Sequence, residues 1–211
     1  MQKFPILFLL CSLELLSLGC SNEYSHLRAL QADEGCPAKG MPWQIETSWY
    51  TTSVDIMGKH ISGLLLIKNM PDSSQRLVFT NEVGLTFFDF EFSNGSFTVH
   101  TVISQLDKRA VVQTLRKDFE LILGIPFRDK TLKRLGTDEE TYFGVVKKNE
   151  TAYFITTKDC AYLRRLEWAS SRKRKVSVQF PGSTFPSPDK VILKHYTFDM
   201  QIELTRILKD Q

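Results

Sequence analysis

Catalytic signatures are missing from this chain of 211 residues. It has no G-x-S-x-G elbow, no phosphate-binding glycine loop, no H-E-x-x-H helix and no C-x-x-C pair. Its four histidines, His26, His60, His100 and His195, are scattered, so neither a metal nor a cofactor is expected. An excess of one charge is lacking as well. The 27 Lys and Arg against 24 Asp and Glu leave a balance of +3, too small to make nucleic acid the main partner. Repeats and low-complexity tracts are absent. The longest apolar run, Phe4 to Leu13, falls short of the ~20 residues that span a bilayer, so a transmembrane helix is not expected. These gaps together argue against an enzyme.

What the sequence does contain begins at its first residues. Lys3 precedes the run Phe4 to Leu13, and the segment closes on Leu16-Ser17-Leu18-Gly19-Cys20. A basic start, an apolar core and a small residue before a cysteine form a secretory signal. The segment resembles the lipobox of bacterial lipoproteins. That resemblance implies cleavage before Cys20 and acylation of Cys20, and two or more acyl chains give stable anchoring to a membrane. Residues 1–19 are then signal peptide. Their removal takes away one lysine and one glutamate and leaves the charge at +3. It also removes Cys11, so Cys36 and Cys160 are left either to pair in an oxidising compartment or to stay apart.

Residues 20–42 read as a lipidated polar tether carrying a short helix over Tyr24 to Ala32, stopped by Gly35-Cys36-Pro37. A single domain is expected over 43–211. In its first strand Trp43, Ile45, Thr47, Trp49 and Thr51 share one face, whereas Val54 and Ile56 take the other parity, which predicts a bulge near Thr52-Ser53. Asn94-Gly95 suits a two-residue type I′ turn, because both positions need positive φ. That turn puts Phe92 opposite Phe97, Phe90 opposite Val99, Phe88 opposite Thr101 and Thr86 opposite Ile103. One long helix follows, capped by Ser104 or Asp107 and closed by Gly124 and Pro126, with Val111, Val112, Leu115, Phe119, Ile122 and Leu123 as its apolar stripe. Six further strand patterns run from Tyr142 to Ile207. The fold class is α+β: a strongly curved antiparallel sheet of about eleven strands, half-open as a barrel, with the inserted helix as a lid.

Fifteen phenylalanines supply the strongest positive signal. Phe88, Phe90, Phe92, Phe97 and Val99 on the sheet, with Val111, Leu115 and Phe119 on the helix, either fill a core or line a cavity for acyl chains. Arg172-Lys173-Arg174-Lys175 sits at a hairpin tip, as a solvated turn or a contact to anionic membrane headgroups. His100, on the polar face with Asp89 and Glu91, reads as a surface histidine, with a hydrolase site as the remote alternative.

The tether, the strands from Trp43, the central helix and the second strand set resemble the bacterial lipoprotein carrier and receptor family, the LolA/LolB-like proteins. The stretches Val78-Phe79-Thr80-Asn81-Glu82, Phe87-Phe88-Asp89-Phe90-Glu91 and Thr114-Leu115-Arg116-Lys117-Asp118-Phe119 are similar to uncharacterised lipoproteins related to that receptor. The resemblance implies a non-enzymatic protein binding the acyl chains of a lipoprotein or lipid, such as palmitate, with a periplasmic carrier as partner. It also implies an apolar residue on a protruding loop that touches the membrane, for which Val83 and Met70 are the candidates. Ser21-Asn22-Glu23 lacks the aspartate that retains some lipoproteins in the inner membrane, which favours the outer membrane, facing the periplasm. The alternative is an envelope interaction scaffold with a filled core.

Overall fold

The computed structural model describes residues 22–30, 45–93, 95–128, 130–182 and 188–208. Cys20, Cys36, Trp43 and Asn94 lie outside the described residues, so the signal, the acylation site and the first position of the hairpin turn are not addressed.

Thirteen strands among the described residues form one antiparallel sheet. They are β1 (Arg28–Ala29), β2 (Ser48–Ile56), β3 (Lys59–Asn69), β4 (Gln75–Thr80), β5 (Thr86–Ser93), β6 (Ser96–Val102), β7 (Lys133–Gly136), β8 (Glu140–Lys147), β9 (Glu150–Thr157), β10 (Leu163–Ala169), β11 (Arg174–Gln179), β12 (Lys190–His195) and β13 (Met200–Arg206). The two beyond the expected eleven are β1 and β7. Their order across the sheet is β1-β7-β8-β9-β10-β11-β12-β13-β2-β3-β4-β5-β6, which leaves β1 and β6 as open edges. The last strand therefore pairs with the first long one, Met200 opposite Ile56 through Arg206 opposite Tyr50.

Between β6 and β7 the chain must cross from one side of the sheet to the other. It does so through α1 (Arg109–Ile122) and a 3-10 turn over Ile125–Phe127. Gly124 ends the helix at φ +67 and Pro126 enters the 3-10 turn, as the sequence predicts, but Lys108 occupies the N-cap and no side chain caps it. A flat sheet of thirteen strands spans roughly 57 Å at the usual spacing, far more than a helix of fourteen residues, ~21 Å long, can cover. Yet buried residues of β2 to β5, β8 to β13 and α1 all join one cluster. Only a sheet curled around the helix brings them together.

Alternation inside the strands explains the core. Leu65 and Ile67, Leu77 and Phe79, Phe88, Phe90 and Phe92, Leu166 and Trp168, Val176 and Val178, Val191 and Leu193, and Ile202 and Leu204 are buried at period two. In β2 the buried parity is Tyr50 and Thr52, the pairing with β3 is unbroken, and Trp49 is exposed, so the bulge expected at Thr52-Ser53 is not there. The change of parity falls before the strand, between the buried Ile45 and Tyr50.

Register shifts do occur elsewhere: two lie along β10, at Leu163/Arg165 against β9 and at Trp168/Ala169 against β11, and two flank β5. Phe92 opposes Phe97 and Phe90 opposes Val99, as predicted, but Asp89 faces Thr101 and Phe88 faces Val102. His100 is the extra residue, and it moves the expected Phe88–Thr101 pairing along by one. Across β4, Phe79 faces Phe88 and Thr80 faces Thr86, so Phe87 is the extra residue there.

The N-terminal segment is also unlike its prediction. Residues 23–26 are turns and Arg28–Ala29 pairs with β7, where a helix from Tyr24 is expected. Tyr24 and Leu27 pack with Tyr142, Tyr153, Ile155 and Ala169 in a second, smaller core on the outer face of β8 to β10. The Tyr24 ring stacks on Tyr153 at 5.1 Å and its hydroxyl donates to Glu167 at 2.7 Å. Long-range partners outcompete the local helical preference, which is weak in so short a segment.

Candidate functional site

The eight residues proposed from sequence as a ligand wall do come together, as packed core. Phe88, Phe90, Phe92, Leu115 and Phe119 are buried, Phe97 and Val111 are partly buried against them, and Val99 on the edge strand is exposed. Phe88 stacks on Phe90 at 4.4 Å and meets Phe119 of the helix at 5.6 Å. Phe97 touches Phe90 at 5.2 Å and Phe92 at 5.1 Å. The helix thus sits directly on this wall.

Polar ties fix it there. His195 Nε2 lies 3.0 Å from Asp118 Oδ2, both residues being buried, and Trp168 Nε1 donates to the Lys117 carbonyl at 3.2 Å. Burial pushes the Asp118 carboxyl above the usual range against the pull of His195. Glu150 takes Lys117 at 2.6 Å and Lys175 at 2.7 Å. Its burial acts to raise its pKa, and the two ammonium groups overcome that and hold it below the ordinary value.

Open apolar space lies beside the wall. A groove of about 570 Å³ is lined by Ile61 of β3, Phe79 of β4, Leu85 and Phe87 before and in β5, and Ile103, Ser104, Gln105 and Leu106 after β6. The β4/β5 bulge creates it: Phe87, the extra residue, brings its ring to 4.9 Å from Phe79. Gly63 makes room for that bulge, because a Cβ there would stand 2.1 Å from the Thr80 carbonyl oxygen. At the groove's margin the loop from Asn81 to Leu85 is held by Asn81 Oδ1, which accepts from the backbone N–H of Val83 at 3.1 Å and of Leu85 at 2.7 Å. The loop leaves Val83 88% and Leu85 53% exposed. Phe87 was legible only as part of a phenylalanine run; nothing in its spacing marks it off from Phe88.

A second groove of about 750 Å³ lies between the β5/β6 tip, the helix and β8, and Phe92 is the one proposed wall residue that lines it. Its lining includes the buried Glu120, which accepts from Arg116 Nε at 2.8 Å and Lys147 Nζ at 3.0 Å.

The four consecutive basic residues divide. Arg172 and Lys173 are exposed in the β10/β11 turn, whereas Arg174 contacts Glu167 at 3.3 Å and lies over the Tyr196 ring at 4.6 Å, and Lys175 is bound to Glu150. His100 pairs with Glu91 at 2.7 Å on the outer face, and Asp89 is engaged by Arg76 through two hydrogen bonds. Cys160 is disulfide-bonded, its partner lying outside the described residues. Among the described residues no cluster of His, Cys, Asp and Glu could hold a metal ion, and no helix is long and apolar enough to cross a membrane.

No protein-family model and no curated protein matches the chain. In structure it is similar to a LolA superfamily protein from Nitrosomonas europaea, at 7% identity over 82% of this chain and 90% of that one, with a TM-score of 0.45. It is also similar to a putative outer membrane lipoprotein-sorting protein domain from Vibrio parahaemolyticus, at 7% identity over 80% and 86% of the two chains, with a TM-score of 0.46.

Proposed function

We propose that this chain is a non-enzymatic envelope lipoprotein, anchored through acylated Cys20, that seats an acyl chain of a lipoprotein or lipid in the groove beside the β4/β5 bulge. The observation that carries the proposal is the solvent-open groove of about 570 Å³ with six apolar side chains, bordered by the exposed Val83 and Leu85. Its size falls within the range of about 300–1,000 Å³ typical of ligand sites. Each seated methylene contributes ~0.8 kcal/mol, so roughly eight offer about 6 kcal/mol before the ordering cost of binding. Binding of that strength is readily reversed, which suits transfer better than storage. Outer-membrane placement and hand-over from a periplasmic carrier belong to the same reading and rest on the sequence.

The test is native mass spectrometry and radiolabelled palmitate binding on the purified protein. One acyl chain per protein is expected, with uptake lost in Phe87→Asp and retained in His100→Ala. Absence of uptake by the unaltered protein would defeat the reading. An envelope interaction scaffold is the second reading, favoured by the contact of Phe119 with Phe88, which leaves the concave wall filled. Co-purification of a fixed protein partner without lipid is its signature.

A further inference from the structure

The two grooves differ in charge and share no lining residue. Among the described residues, no charged side chain lines the groove beside the β4/β5 bulge. In the second groove the described lining holds four cations, Arg116, Arg128, Lys130 and Lys147, against one carboxylate, Glu120. That surplus of positive charge equals the +3 balance of the entire chain, gathered within about 750 Å³.

The fold makes this concentration by leaving two strand edges apart. β7 reaches along β8 only as far as Gly144, so Val145, Val146 and Lys147 run on with no described strand on that side. β6 is the free edge of the other arm, and its first residue, Ser96, borders the same space above α1. Glu120 does not neutralise its neighbours. Arg116 donates to one of its oxygens at 2.8 Å and Lys147 to the other at 3.0 Å, so both oxygens are engaged and these three residues keep one positive charge in excess. Aromatic faces steady both cations, Arg116 over Phe97 at 5.2 Å and Lys147 over Trp168 at 6.0 Å. Arg128 is positioned by the Gln75 side chain and the Leu123 carbonyl, and Lys130 is exposed at the rim. A cleft lined by one sign of charge between apolar walls focuses its field and concentrates counter-ions.

We infer that this groove is a binding site for a phosphate monoester. Such a group carries a charge of about −1.5 to −2 at neutral pH and three acceptor oxygens, enough to engage Arg116, Lys130 and Lys147 together, whereas a carboxylate brings a single charge. The hydroxyls of Ser93 and Ser96 stand beside it, and Ile125, Pro126 and Val145 offer an apolar side for the organic part of the ester. The inference stands apart from acyl uptake by the first groove.

The experiment is isothermal titration calorimetry on the purified protein at pH 8 with three probes that share an eight-carbon tail: octyl phosphate, octanoate and octyl glucoside. Octyl phosphate should bind one per protein and at least about tenfold more tightly than either of the others, the difference expected of an added charge-assisted hydrogen bond. Lys130→Glu and Val146→Asp should each weaken it about tenfold by the same measure, and Phe87→Asp in the other groove should leave it unchanged. Lys130 and Val146 are both exposed, so neither change disturbs packing, and an unchanged thermal unfolding midpoint verifies that. Glucose 6-phosphate separates the sources: if it binds more tightly than octyl phosphate the ligand is a soluble ester, if more weakly a lipid-derived one, and either upholds the site. Equal affinity for octanoate and octyl phosphate, undiminished binding in Lys130→Glu and Val146→Asp, or loss in Phe87→Asp would overturn the inference. Palmitate uptake is read in parallel: uptake without phosphate-ester binding defeats this site and keeps the first groove, and phosphate-ester binding without palmitate uptake does the reverse.

Discussion

The inner wall of the β2–β6 arm and the outer face of the β8–β10 arm are both dry, and they are kept dry by different means. On the first, phenylalanine packs on phenylalanine and on the helix. On the second, a short arriving segment covers tyrosines while a charged network closes its border. There Arg165 donates to both oxygens of Glu140, at 2.6 and 2.9 Å, and to Glu167 at 2.6 Å. Arg165 is correspondingly harder to deprotonate despite its burial, and Glu140, which burial alone would raise, is held below the ordinary range. Burial, together with Glu140, pushes the Tyr142 hydroxyl up to about 12. An apolar wall tolerates imperfect geometry; an ionic border fails once one member is removed. The contrast is therefore one of fragility rather than of strength.

The largest expected effect tests the wall. Phe119→Ala should cost about 3–5 kcal/mol in urea unfolding by opening a void against Phe88. In the network, Glu167→Ala should cost about 3 kcal/mol, since it removes the buried carboxylate that accepts from Tyr24, Arg165 and Arg174 at once, while Glu140 still holds Arg165. A smaller value for Glu167 than for Tyr24 would break the comparison. Tyr24→Phe keeps the stack on Tyr153 and loses one hydrogen bond to a carboxylate, an expected cost of about 1.5 kcal/mol.

Acid sharpens the same contrast. Glu140 and Glu150 are lowered in the folded protein, so the stability they supply is full above the ordinary glutamate value of 4.5 and is lost as pH falls through their folded values. Asp118, raised by burial, has the opposite sign and offsets part of that loss. Thermal unfolding followed down to pH 3 should show a net fall, reduced by Glu150→Gln. At the bottom of the scale, His100→Ala on the exposed outer face should change stability by less than about 0.5 kcal/mol.

Much of this architecture was written in local chemistry. The register around Asn94-Gly95 follows from turn geometry alone as far as Phe90 and Val99, and Gly124 with Pro126 ends the helix where expected. Legibility stops at the first one-residue insertion. His100 and Phe87 are extra residues only relative to a partner strand, and no periodicity within their own strand announces them. Lys133–Gly136 is too short to show an alternation, and it is a strand because β8 pairs with it on one side and the distant Arg28–Ala29 on the other. The groove was missed for the same reason: it is the product of the Phe87 bulge, whereas alternation points to the wall beside it. Arg174 and Lys175 read as part of one basic run until the fold brings Glu23 from the N-terminal turn, Glu167 from the adjacent β10 and Glu150 from β9 beside them.

The pairing of β13 with β2 has a consequence for how the protein is made. The seam at the middle of the sheet joins its first long strand to its last, so neither arm is flanked on that side until the final residues have left the ribosome. Synthesis therefore delivers two unfinished arms, joined only through the helix, and the slow long-range closure is postponed to the end.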